Sequence, residues 1–164
     1  LAGRASVHLH KPDGEITMAN HLLKDTKITR VANSAAAAQT AVNSSILDMA
    51  GYDGVVFVAA LGDVTDTCVL TLKVEQDELN GAGGMAALTG NATFTANATS
   101  ADNGLLVVDV IRPAKRYVRA ALTRTTANAV VDGIFAIQYK ASTKPVTADS
   151  SVLASATIVD AAEA

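Results

Sequence analysis

Polar and apolar residues alternate with a period of two through most of this chain. The clearest stretch runs from Cys68 to Glu75, where Cys68, Leu70, Leu72 and Val74 interleave with Val69, Thr71, Lys73 and Glu75. Successive strand residues point to opposite faces, so this pattern predicts a strand with one face in a core and the other in water. Asn91 to Thr99 repeats it, with Ala92, Phe94, Ala96 and Ala98 on one side and a row of Asn and Thr on the other. Thr26 to Val31 alternates more weakly and is β-branched, which suits an edge strand. Val42 to Met49 reads as a further strand. Asp53-Gly54 marks a turn, and Val55 to Leu61 follows with apolar residues throughout. That composition fits an interior strand covered on both sides.

Gly62 to Thr67 has loop chemistry, and Gln76 to Gly84 is a polar, Gly-rich loop. After a turn at Ser100 to Gly104, Leu105 to Ile111 is an apolar strand holding Asp109. Pro113 ends it, because proline cannot donate to a ladder. Lys115 to Arg124 and Ala129 to Lys140 complete about eight strands, with a turn at Thr125 to Asn128 between them. Ala32 to Ala41, with four consecutive alanines, fits either a short helical turn or an extended connection. No βαβ rhythm is present, so the chain is expected to be all-β: a sandwich, jelly roll or barrel.

The ends read differently from this middle. Residues 1–25 are expected to form an N-terminal arm, residues 26–140 the sandwich domain, and residues 141–164 a Ser-, Thr- and Ala-rich tail with one late strand near Val152 to Val159. Leu1 to Thr17 has no sustained period and precedes Met18-Ala19-Asn20, a plausible translation start. Two readings stand: an upstream leader translated with the protein, or an extended arm that docks on a neighbouring subunit. The N-terminal mass of the mature protein separates them.

Composition narrows the function. Hydrophobic residues are 49% of the chain but aromatics only 4%, and much of the rest is Ala and Val. A core built from these is thin for 164 residues, so part of the stability is expected from contacts between subunits. The net charge of −3 argues against a general nucleic-acid binder, which needs an excess of cations. Cys68 is the single cysteine, which excludes an internal disulfide and a Cys-based zinc site. Within an apolar run it reads as a small core residue. No apolar stretch reaches the roughly 18 residues of a membrane span, and the N-terminal residues lack the continuous apolar segment of a secretory signal.

Candidate chemistry is sparse. A hydrolytic triad needs a histidine beside a nucleophile, and the only histidines, His8, His10 and His21, lie in or near the N-terminal arm. Gly81-Ala82-Gly83-Gly84-Met85-Ala86 matches G-x-G-x-x-A by letter, but it lacks the strand before and the helix after that make this a dinucleotide site. Asp63, Asp66, Glu75, Asp77 and Glu78 form an acidic sector without EF-hand spacing, which reads as a solvated rim. No enzyme activity, cofactor or metal is expected. The strongest interaction candidate is the basic strand with Arg112, Lys115, Arg116, Tyr117, Arg119 and Arg124. Strand parity puts Arg116 and Arg124 on the Val118, Ala120 and Leu122 face, and Tyr117 and Arg119 on the other. Arginine and tyrosine are enriched in interface anchors, yet strand-end cations also protect edges from aggregation.

Two segments resemble the capsid decoration, or cement, proteins of tailed bacteriophages. One is Ser45 to Phe57, containing Asp48-Met49-Ala50-Gly51-Tyr52-Asp53-Gly54 between two strands. The other is Lys115-Arg116-Tyr117-Val118-Arg119. The resemblance covers roughly Ile28 to Lys140. It implies a jelly-roll-like β-sandwich on the outer capsid surface of a virion. Such a protein, often a homotrimer, bridges major capsid protein subunits and touches neither nucleic acid nor membrane. The competing expectation is a non-catalytic binding module of carbohydrate-binding or adhesin type, which calls for an exposed aromatic platform; the chain has no Trp and three Tyr.

Overall fold

The alternating segments pair into two antiparallel sheets in the computed structural model, which describes residues 22–98 and 100–157. One helical turn, α1 (Leu22–Asp25), leads into β1 (Lys27–Ala32). The strands β2 (Ala35–Ala38), β3 (Val42–Asn43), β4 (Leu47–Asp48) and β5 (Gly54–Val64) follow. Then come β6 (Val69–Asp77), β7 (Ala86–Thr95), β8 (Leu105–Ile111), β9 (Tyr117–Thr125) and β10 (Ala129–Tyr139). The first sheet has the order β1-β10-β5-β8, with β2 also on β10. The second has the order β3-β9-β6-β7, with β4 also on β9.

Taking β3 and β4 as one broken strand, the pairing is nested: β1 with β10, β3 and β4 with β9, β5 with β8, and β6 with β7. A long antiparallel ribbon folded across two sheets in this way is a jelly roll. The chain is therefore an all-β sandwich of the expected kind. The two inner faces meet in a core of Val55, Phe57, Ala59, Leu70, Leu72, Val74, Val118, Leu122, Val131 and Ile134. Each Val, Leu, Ile or Phe here is worth about 1.5–3 kcal/mol of burial. Cys68 is fully buried among them, and burial pushes its thiol above the ordinary value.

Several expectations are corrected. Val55 to Leu61 is covered on one side only: Val56, Val58 and Ala60 face away from the core and are half-buried. Its strand also runs on through Gly62 to Val64, which the sequence assigned to a loop. There Gly62 lies against Val130, where a Cβ would come within 2.9 Å of a methyl group. Val42 to Met49 is not one strand. At its middle the Ser44 amide donates to the Ala120 carbonyl, and the next amide, of Ser45, donates to Val31 in the other sheet (2.9 and 2.8 Å). The chain is thus stitched to both sheets at one point, and a regular ladder cannot continue.

The Ala-rich stretch is extended, held by β10 at Ala129↔Ala38 and Val131↔Ala35. The expected strand from Asn91 begins earlier, at Ala86, past an irregularity opposite Lys73 and Glu75. Residues 152–157 form no strand, and the remainder of that expected strand lies outside the described residues, as do the segment Leu1 to Thr17 and the start at Met18. The tail instead docks along β1. Val146 donates to the Lys24 carbonyl at 2.8 Å, Arg30 donates its amide to Ser151 Oγ at 2.9 Å, and Lys27 pairs with Asp149 at 3.6 Å.

Candidate docking site

The two segments that carry the resemblance are distant in sequence and adjacent in space. Leu47 and Asp48 pair with Val118 and Tyr117 of β9. The ladder continues one step further, with the Met49 amide donating to the Arg116 carbonyl at 2.8 Å. The chain then reverses through a turn closed by Tyr52 N–H to Met49 O (3.0 Å), with Gly51 at φ +85°. That left-handed conformation favours glycine. Asp53 anchors the exit of the turn: its amide donates to Tyr139 O, and its carbonyl accepts from Arg112 N–H at 2.7 Å.

An ion pair locks the two segments. Arg116 donates from Nε to Asp48 Oδ1 at 2.8 Å and from Nη2 to Asp48 Oδ2 at 2.6 Å, a bidentate fork that fixes direction as well as distance. Asp48 Oδ1 also accepts from the Ala50 amide. The Arg116 hydrogen bond holds the Asp48 carboxyl below its ordinary value, and Asp48 in turn holds the Arg116 guanidinium above its own. The same guanidinium lies 5.3 Å from the centre of the Tyr117 ring. Beside this pair is a shallow recess of about 400 Å³, walled by Met49, Tyr52, Asp53, Arg112, Pro113 and Lys115. Arg112 and Lys115 make no ion pair among the described residues. With Asp48 and Arg116 neutralising each other, Arg112, Lys115 and Asp53 leave the recess one net positive charge. Such a surface can accept a carboxylate or carbonyl from a partner.

The six expected interface residues therefore separate. Arg112, Lys115, Arg116 and Tyr117 gather at this end of the sandwich. Arg119 is occupied on the outward face of β9, donating from Nε to Glu75 Oε2 at 2.7 Å, while Lys73 reaches the same carboxylate at 3.0 Å. Burial would raise the Glu75 carboxyl, but its bonds to Lys73 and Arg119 outweigh burial and hold it low. Arg124 is only 2% exposed and presents nothing to a partner, which corrects its place among the interface candidates. Its donors are used internally, on the carbonyls of Thr40, Ala36 and Ala129.

Other candidate chemistry does not assemble. No group of three His, Cys, Asp or Glu side chains suited to a metal occurs among the described residues. Asp66 Oδ1 caps the amides of Thr67 and Ala98, and Asp77 caps Glu78. Ala82–Gly84 is a single 3-10 turn leading into β7, with no helix to receive a phosphate. His8, His10 and His21 lie outside the described residues. Asp48 was not singled out from the sequence, although its place in the first segment beside the turn was a signal. A second groove of about 650 Å³ between the free edges of β7 and β8 was also not foreseen; Leu88, Ala92, Val108 and Val110 line its floor.

No protein-family model matches the chain, and no curated protein matches it. Among solved structures it is similar to Eiger TNF from S. frugiperda, over 72% of this chain and 98% of that chain, with 11% sequence identity and a TM-score of 0.36. A likeness of that size bears on neither activity nor partners, and the resemblance of the two short segments rests on their residues alone.

Proposed function

We propose that this chain is a structural virion protein that decorates the outer surface of a bacteriophage capsid and stabilises it by bridging major capsid subunits. One observation supports the reading above the others. The two segments that resemble decoration proteins meet at one end of the sandwich, where the Asp48–Arg116 pair locks them and leaves Arg112 and Lys115 facing a shallow recess. A rigid, weakly cationic end of this kind suits acceptor groups on a shell subunit. A single contact there is weak, and many copies on a lattice gain strength through multivalency. The sandwich segment, residues 26–140, contains no histidine, which is in keeping with a role in contact rather than turnover.

Cryo-electron microscopy of purified virions tests the proposal. Density for a jelly roll on the outer shell, with its Arg112 and Lys115 end against a capsid subunit, is the expected result. Arg112→Glu with Lys115→Glu should abolish rebinding to stripped capsids while leaving the circular dichroism spectrum unchanged. A particle that lacks the chain removes the proposal.

A further inference from the structure

The C-terminal tail covers β1 without joining its ladder. Residues of an antiparallel strand alternate, one offering its amide and carbonyl to one neighbour and the next to the other. The Arg30 amide goes outward to Ser151 Oγ at 2.9 Å, so Ile28 and Arg30 aim their backbone groups at the tail, while Lys27 and Thr29 aim theirs at β10. The tail answers that one amide, and does so with a side chain. The Ile28 amide and carbonyl and the Arg30 carbonyl take no backbone or side-chain partner among the described residues.

The rest of the attachment is light. Val146 N–H reaches the Lys24 carbonyl, Lys144 pairs with Asp25 at 3.1 Å, and Lys27 pairs with Asp149 at 3.6 Å. Both ion pairs lie at the surface, where such pairs hold weakly. The apolar contact is incomplete: a void of about 30 Å³ separates Leu23, Thr26 and Ile28 from Ala148, Val152 and Ser155. Well-packed interiors leave few such gaps. The next apolar residue of the tail, Leu153, is 96% exposed.

Charge is unbalanced in the same place. Residues 22–32 carry Lys24, Lys27 and Arg30 against Asp25, two net positive charges, and residues 146–157 return one carboxylate, Asp149. That carboxylate is shared: its Oδ1 holds the Ser151 amide and hydroxyl, and its Oδ2 faces Lys27. The edge thus offers more ladder groups and more cations than the tail satisfies. A true strand with a second carboxylate would engage both.

We propose that the outer edge of β1 is a docking site for an extended acidic segment of a partner protein, and that residues 146–152 are a strap which that segment displaces. The tail shows what the edge takes: a carboxylate for Lys27, an acceptor for the Arg30 amide and an apolar side chain beside Ile28. Strand addition supplies the same groups together with the missing ladder bonds. Until then the strap keeps the edge from indiscriminate pairing. None of these residues walls the recess, so the site is separate from the capsid contact proposed above.

The probe is a synthetic copy of residues 146–157 in which Ser150→Asp adds a second carboxylate. In the full chain the resident tail competes at an effective concentration on the order of millimolar, so opening the strap with Asp149→Ala and Ser151→Ala should tighten probe binding at least about tenfold. Hydrogen exchange on the wild type needs no variant. Saturating probe should slow the Ile28 amide, keep the Arg30 amide slow, and speed the Val146 amide as the tail leaves. The same peptide with Asp149→Lys and Ser150→Lys should do none of this. Failure of the probe to bind either chain, equal affinity for both, equal binding of the lysine peptide, or an Ile28 amide that bound probe leaves unchanged overturns the proposal.

Discussion

Arg124 sits in the core side of β9 with no carboxylate partner among the described residues, and three backbone carbonyls take its protons. Its fork ties Ala36 and Thr40, on either side of the end of β2, to the start of β10. Burial pulls the guanidinium below its ordinary value, with a small opposing effect from Cys68. Arg124→Ala would strand those carbonyls and leave a cavity, so it should cost about 3–5 kcal/mol in urea denaturation. Arg124→Lys should cost less but still be destabilising, because a single ammonium cannot span the same acceptors. The strand period placed Arg124 correctly beside Val118, Ala120 and Leu122. It could not show that the Ala-rich segment crosses above with its carbonyls aimed inward, since that contact spans more than eighty residues. Arg116 went astray for a different reason. It precedes the first residue of β9, so strand parity does not govern it, and the Asp48 carboxylate draws it outward.

Elements were readable where one face is wet and the other buried. The bounds expected for β8 are those observed, and β6 follows its alternation closely. They were unreadable where non-local bonds interrupt the ladder, as at Ser44 and Ser45, or where an adjoining strand recruits alanines that favour helix, as in β2. One link across three strands gives a measurable signature. Tyr139 lies over Gly54, where a Cβ would come within 2.3 Å of its ring, and its hydroxyl donates to Asp109 on β8 at 2.8 Å. Burial first, and the Asp109 bond second, push the Tyr139 phenol up to about 12. Between the ordinary tyrosine value near 10 and this one, the unfolded chain has released the proton and the folded chain retains it. The unfolded state then binds fewer protons, so stability falls as pH rises through that window. Tyr139→Phe should flatten this alkaline slope relative to wild type in chemical denaturation; an unchanged slope would show that the phenol is not responsible.

At the scale of the molecule, periodicity indicated a sandwich but not which strand neighbours which, because pairing order is set by contacts between distant segments. The nested order has a cost in time. β10 lies between β1 and β5, so the first sheet has no middle until β10 has left the ribosome. Its β1 must wait unpaired while about a hundred residues are synthesised, and closing so long a loop slows the search for the native arrangement. A chain stopped after Ala127 should accordingly show neither near-ultraviolet circular dichroism nor slow-exchanging amides in β1. Nascent chains of this protein thus carry a half-made first sheet until β10 is available, and their yield in a cell should depend on chaperones that shelter apolar strands in the interval.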